Sequence, residues 1–114
     1  MPLSIVVVIR EDPKKTSRAV EALRIALGLA TGANPLTIIL LNEAPLLLSE
    51  ETDDIVDGEI LEKHGPVFKE LKTPFVLLQG ARTRIALDAD FQTREASGEE
   101  IATLITSTDR VLVF

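Results

Sequence analysis

The sequence contains no cysteine, no tryptophan and no tyrosine, and only one histidine. Without cysteine there is no disulfide framework, no thiolate metal site and no covalent chemistry through sulfur. The only aromatics are four phenylalanines, and the formal net charge is −6. Nucleic-acid binding, which needs basic grooves and stacking surfaces, is therefore not expected. No apolar run approaches the roughly 18–20 residues of a membrane span. Met1-Pro2 leads directly into a strand-like run without the layout of a signal peptide, so a cytoplasmic location is expected. What remains is the composition of one soluble globular domain over residues 1–114, 46% hydrophobic and 26% charged, long enough to bury a core without staples.

Hydrophobic patterning predicts alternating strands and helices. Leu3 to Ile9 is a continuous, mostly β-branched run, the habit of a strand covered on both faces of a parallel sheet. Asp12 as N-cap and Pro13 in the first helical position predict a helix from there to about Thr31, closed by Gly32. Pro35 to Leu41 reads as a second strand and Pro74 to Leu78 as a third. Between them lies a helical period through Ile60, Leu61, Val67, Phe68 and Leu71. Within that period His64-Gly65-Pro66 predicts a kink or two short helices, because Pro66 removes a backbone bond. A short helix or irregular turn is expected over Gly80 to Leu87, and a minor strand around Ala89-Asp90-Phe91. Ser97-Gly98-Glu99-Glu100 is a capping box opening a helix to about Thr106, and Arg110 to Phe114 reads as a last strand. This alternation predicts a three-layer α/β/α sandwich with a mostly parallel sheet of four to five strands.

The charge is uneven. Between Ser49 and Glu62 lie seven acids (Glu50, Glu51, Asp53, Asp54, Asp57, Glu59, Glu62) and no base, so eleven acids and twelve bases are left elsewhere. A calcium loop starting at Asp53 fails, because it would put Ile55 and His64 where oxygen ligands are required. A looser divalent site from Asp53, Asp57 and His64 has helical spacing. The plainer readings are a solvated helix start, with acids opposing the positive end of the macrodipole, or an acidic docking surface. His64 has an imidazole suited to general base chemistry, but no Ser, Cys or Asp stands at a recognised motif spacing from it. No catalytic residue, metal or cofactor is assigned from the sequence.

The turn after the first strand contains no glycine, which excludes the common phosphate loops. It holds Lys14, Lys15, Thr16, Ser17 and Arg18, and after the third strand comes Gly80-Ala81-Arg82-Thr83-Arg84. Both segments are expected at the carboxyl ends of strands, where open α/β sheets bind ligands. Lys14, Lys15, Ser17, Arg82 and Arg84 are therefore candidate ligands for a nucleotide, phosphate or sulfur oxyanion. Leu46-Leu47-Leu48, directly beyond the second strand where a loop should be polar, is a candidate interface patch.

The whole chain resembles the DsrE/DsrF-like (DsrEFH, sulfur-relay) family. The resemblance runs through Asp12-Pro13 and the helix Arg18 to Ala30, through Asn42-Glu43-Ala44 and Leu46-Leu47-Leu48, and through the ending Thr108 to Phe114. It implies a small α/β/α protein assembling as a trimer or hexamer, with copies of itself or with related subunits. Active members of that family carry persulfide sulfur on a cysteine just after the third main strand, a place that falls here at Gln79 or Gly80. With no cysteine, persulfide transfer is chemically closed to this chain. The expectation is a non-catalytic subunit or scaffold, like the DsrF- and DsrH-type members, with a small-anion-binding module as the alternative.

Overall fold

The computed structural model describes residues 3–114; the Met1-Pro2 lead-in lies outside it. Five strands form one parallel sheet: β1 (Ile5–Ile9), β2 (Leu36–Leu40), β3 (Phe75–Leu78), β4 (Thr93–Ala96) and β5 (Arg110–Val113). Their spatial order is β4-β3-β2-β1-β5, with Ile5 beside Leu36 and Arg110, and Ile38 beside Phe75. Helices α1 (Arg18–Ala30), α2 (Gly58–Leu71), α3 (Ala81–Arg84) and α4 (Gly98–Thr106) make the connections. The expected α/β fold is the one observed.

The order explains the layers. From β1 to β4 each crossover steps the same way across the sheet, and right-handed crossovers that step the same way place their helices on one face. Ala22, Leu23 and Ala26 of α1 and Leu61 and Phe68 of α2 therefore share one core with Ile5, Val7, Ile9, Ile38 and Phe75. The last crossover runs back under the sheet to the far edge, so α4 covers the opposite face. There Ile101 joins Val6, Val8, Ile39 and Val76. One helix of nine residues covers that face, and the second core is correspondingly smaller.

Four local expectations change. Helix α1 starts at Arg18 rather than Pro13. The Asp12 carboxylate accepts the Lys14 N–H at 2.9 Å, and the Asp12 carbonyl accepts from Lys15 and Thr16, which closes a separate turn. An Asx turn of this kind competes with helix initiation. Second, α2 passes through Pro66 as one element of 14 residues. Pro66 is exposed while Leu61, Gly65 and Phe68 are buried, so water can solvate the carbonyl that Pro66 leaves free.

Third, Ala89-Asp90-Phe91 is a turn, and the strand lies at Thr93–Ala96. Asp88 accepts the N–H groups of Asp90 and Phe91, and the buried Phe91 ring packs edge-on against Phe75. Lys69 clamps this turn, reaching the Asp88 carboxylate at 2.6 Å with its ammonium 4.9 Å from the Phe91 ring centre. Fourth, Leu46-Leu47-Leu48 lies in a 3-10 helix, Ala44–Leu48, whose Leu47 and Leu48 are 1% and 0% exposed. The apolar triplet mostly fills this chain's own core, because the tight helix turns two of its three leucines inward. The capping box at Ser97 and Glu100 forms as expected.

Candidate functional site

Because the sheet is parallel, the loops after β1, β2 and β3 all emerge at its carboxyl end. Two adjoining crevices open there, with Arg84 in the wall of both. The first, of about 340 Å³, is bordered by Lys14 from the loop after β1, Arg84 from α3 and Glu50, Glu51, Asp53 and Asp54. The segment carrying those acids is tied down by backbone bonds from Glu50 to Ala86 and from Val56 to Pro13. The second, of about 350 Å³, lies between the ends of β2 and β3 and is lined by Asn42, Pro45, Leu78, Gln79 and Gly80. Gly80, at φ +93°, makes the sharp exit from β3 that starts α3, a conformation that strains any residue with a Cβ.

Of the five residues expected to gather around an anion, Lys14 and Arg84 share a crevice and the others do not join them. Lys15 and Ser17 stand exposed, and Ser17 caps α1 with its carbonyl rather than its hydroxyl. Arg84 spends its fork on neighbouring groups of the chain at the surface, donating to the Glu43 carboxylate at 2.7 Å and to the Asn42 carbonyl at 2.8 Å. Arg82 points to the outer edge of β4. Its guanidinium donates to the Thr93 carbonyl and, at 2.9 Å, to the Thr93 hydroxyl, while its backbone N–H donates to the Glu95 carboxylate. Four carboxylates against two cations give the Lys14–Arg84 crevice a negative field, which opposes an anion.

Nor does the acidic stretch assemble a metal centre. Among the described residues no group of three or more His, Cys, Asp or Glu side chains is placed to hold an ion, so Asp53, Asp57 and His64 are not brought together. Glu50 to Asp57 precede the helix, and Asp57 enters it in the left-handed region at φ 60°; Glu59 and Glu62 lie within α2. His64 is half-buried on α2, and its Nδ1 is buried without a hydrogen-bond partner.

The strand at Arg110 is expected from the sequence, but that β4 and β5 form the two edges of the sheet is not. At β4, the bonds from Phe75 N–H to Gln92 and from Gln79 N–H to Ala96 show which carbonyls face β3. Thr93 and Glu95 therefore face outward, and Arg82 occupies them. At β5, the Arg110 N–H donates to Ser4, and Phe114 both donates to Val8 and accepts from Arg10. Alternation then turns the N–H and C=O groups of Val111 and Val113 away from β1. Leu112 is 38% and Val113 54% exposed. The one sequence signal was the contrast between the apolar Val111-Leu112-Val113 and the polar Thr93-Arg94-Glu95.

No family model matches the chain, and no curated protein matches it significantly. Among solved structures the fold is similar to that of the ychN protein from E. coli, with a TM-score of 0.77 and 19% identity over the full length of both chains. At that identity the likeness concerns the fold.

Proposed function

We propose that this chain is a non-catalytic subunit of a DsrE-like assembly, built from copies of itself or with related subunits and linked to intracellular sulfur relay. The observation that carries this reading is the exit of β3. Where the resemblance places a persulfide-bearing cysteine, the crevice presents Gln79 and Gly80, and neither side chain is a nucleophile. Around it Arg84 is paired with Glu43, and the lining residues Asn42, Gln79 and Gly80 supply neither a nucleophile nor a base for acyl or sulfur transfer. The whole-chain likeness to a solved protein of this fold supports the same reading. So does the apolar strand exposed at one sheet edge.

Native mass spectrometry of the purified protein tests it. The expected result is an oligomer at an integral multiple of the bare chain mass. A monomer at every concentration contradicts the reading.

The second reading, a module for a small anion such as phosphate, a nucleotide or a sulfur oxyanion, draws on the shared crevice of Lys14 and Arg84. The four carboxylates around them favour the first. Calorimetric titration with phosphate and sulfate separates the two. Saturable binding abolished by Lys14→Ala together with Arg84→Ala supports the module, and no heat at millimolar anion removes it.

A further inference from the structure

A parallel sheet that ends in solvent leaves a row of backbone donors and acceptors at each edge, and proteins normally blunt such edges with charge or cover. The β4 edge is blunted twice. Its strand carries Arg94 and Glu95, and Arg82 binds both the carbonyl and the hydroxyl of the outward residue Thr93. The β5 edge lacks the cap, and its one charged residue, Arg110, stands at its start. Its outward N–H and C=O groups belong to Val111 and Val113, the residue between them is Leu112, and among the described residues no side chain donates to this edge. The Arg110 guanidinium folds back on the Asp109 carbonyl.

We infer that β5 pairs antiparallel with β5 of a second copy of this chain, continuing the sheet through a two-fold axis. This rests on the subunit reading above and names its contact surface. The second copy is the fitting occupant because the strand is self-complementary. With Leu112 on the axis, Val111 lies opposite the partner's Val113 and Val113 opposite the partner's Val111. Both are outward residues, so these two pairs exchange four N–H···O bonds.

Every side chain brought opposite another in those pairs is aliphatic: Leu112 meets its own copy on the α1 face, and valine meets valine on the α4 face. Charge does not oppose the approach. The seven acids of residues 50–62 sit before and in α2, which joins β2 to β3, with β1 standing between those strands and β5. Leu104, Ile105 and Val111 form the partly buried rim of the second core, which extends the apolar surface beyond the strand itself. A closed two-fold contact predicts an even-numbered assembly, a dimer or a hexamer of three such pairs.

Val113→Pro is the decisive variant. The Val113 N–H points away from β1, so proline removes a bond to the partner and none within the chain. Val113→Lys places a charge on the same edge without touching the backbone. Light scattering after size exclusion should give an even multiple of the chain mass for the wild type and half that mass or less for both variants, with unchanged far-ultraviolet circular dichroism. A wild-type oligomer that both folded variants reproduce, or a trimer, overturns the β5 pairing and leaves the subunit reading standing. A wild-type monomer throughout overturns both.

Discussion

The two edges of the sheet face the same physical problem and solve it differently. At β4 a strand of Thr, Arg, Glu and Ala is capped by Arg82 reaching across from α3, with a carboxylate, Glu95, holding the Arg82 backbone in return. At β5 the outward backbone is flanked by two valines and a leucine, and exposure rises to 54% at Val113. One edge ends the sheet and the other invites continuation. The difference shows that Arg82, a cation at the carboxyl end of a strand, serves the fold by closing an edge.

Leu47 and Val113 should differ most in what their truncation costs. Both are apolar, and the sequence placed Leu47 in the interface patch. Leu47→Ala should cost about 2–5 kcal/mol, since it empties a fully packed site, whereas Val113→Ala should stay within about 0.5 kcal/mol. Urea unfolding of the two variants, at a concentration where the wild type is dissociated, measures both.

Arg82→Ala removes the cap at the opposite edge. Loss of the guanidinium bonds to Thr93 should cost about 1 kcal/mol and leave the β4 edge guarded only by its own Arg94 and Glu95. Light scattering should then rise modestly with concentration beyond a closed assembly, because a second edge that has lost one of its two guards lets some chains extend. Arg82→Lys should restore this only in part, as it lacks the fork that reaches both oxygens. Gly80→Ala should act more weakly on the same edge. With Gly80 at φ +93°, alanine adds strain of about 1 kcal/mol and displaces α3, which carries Arg82. Thermal melts of the two variants should shift down, with Arg82→Ala alone scattering light.

The smallest effect concerns how β5 is moored. The Asp109 carboxylate accepts the Ser4 N–H at 2.9 Å and its hydroxyl at 3.1 Å, and these bonds hold its pKa below the ordinary 3.8. A depressed folded pKa means stability that is present above the unfolded value and lost as pH falls through the folded one. Asp88, depressed by its bond to Lys69 and then by the Asp90 N–H, contributes in the same direction beside β4. Stability should therefore decline as pH drops below about 3.8. Asp109→Asn should flatten that decline at β5, and Asp88→Asn at β4. Residue-resolved amide exchange across an acid series checks which strand loosens in each variant.

The central strands were legible to within a residue or two because both of their faces are buried, and continuous apolar runs mark that state. The Ser97 capping box was equally plain, being local chemistry within four residues. The start of α1 was not, since Asp12 serves its own turn before the helix begins. The strand at Thr93–Ala96 was missed because an edge strand with polar residues carries little apolar period, and the buried Phe91 drew the expectation upstream, to a start at Ala89. At the candidate site, Lys14 and Arg84 were correctly placed at the carboxyl end of the sheet. What could not be read was the commitment of each arginine, because Arg84 finds Glu43 at a separation of 41 residues and Arg82 finds Thr93 at 11. Pairings of that kind exist only once the strand order is known.

The most direct test of the difference between the edges is amide hydrogen exchange followed by NMR across a dilution series from about 1 mM to about 1 µM, the span in which modest interfaces dissociate. The outward amides of Val111 and Val113 should be protected at high concentration and lose that protection on dilution, while those of Thr93 and Glu95 should exchange alike throughout. Val111 and Val113 amides that exchange freely at every concentration would contradict the β5 pairing.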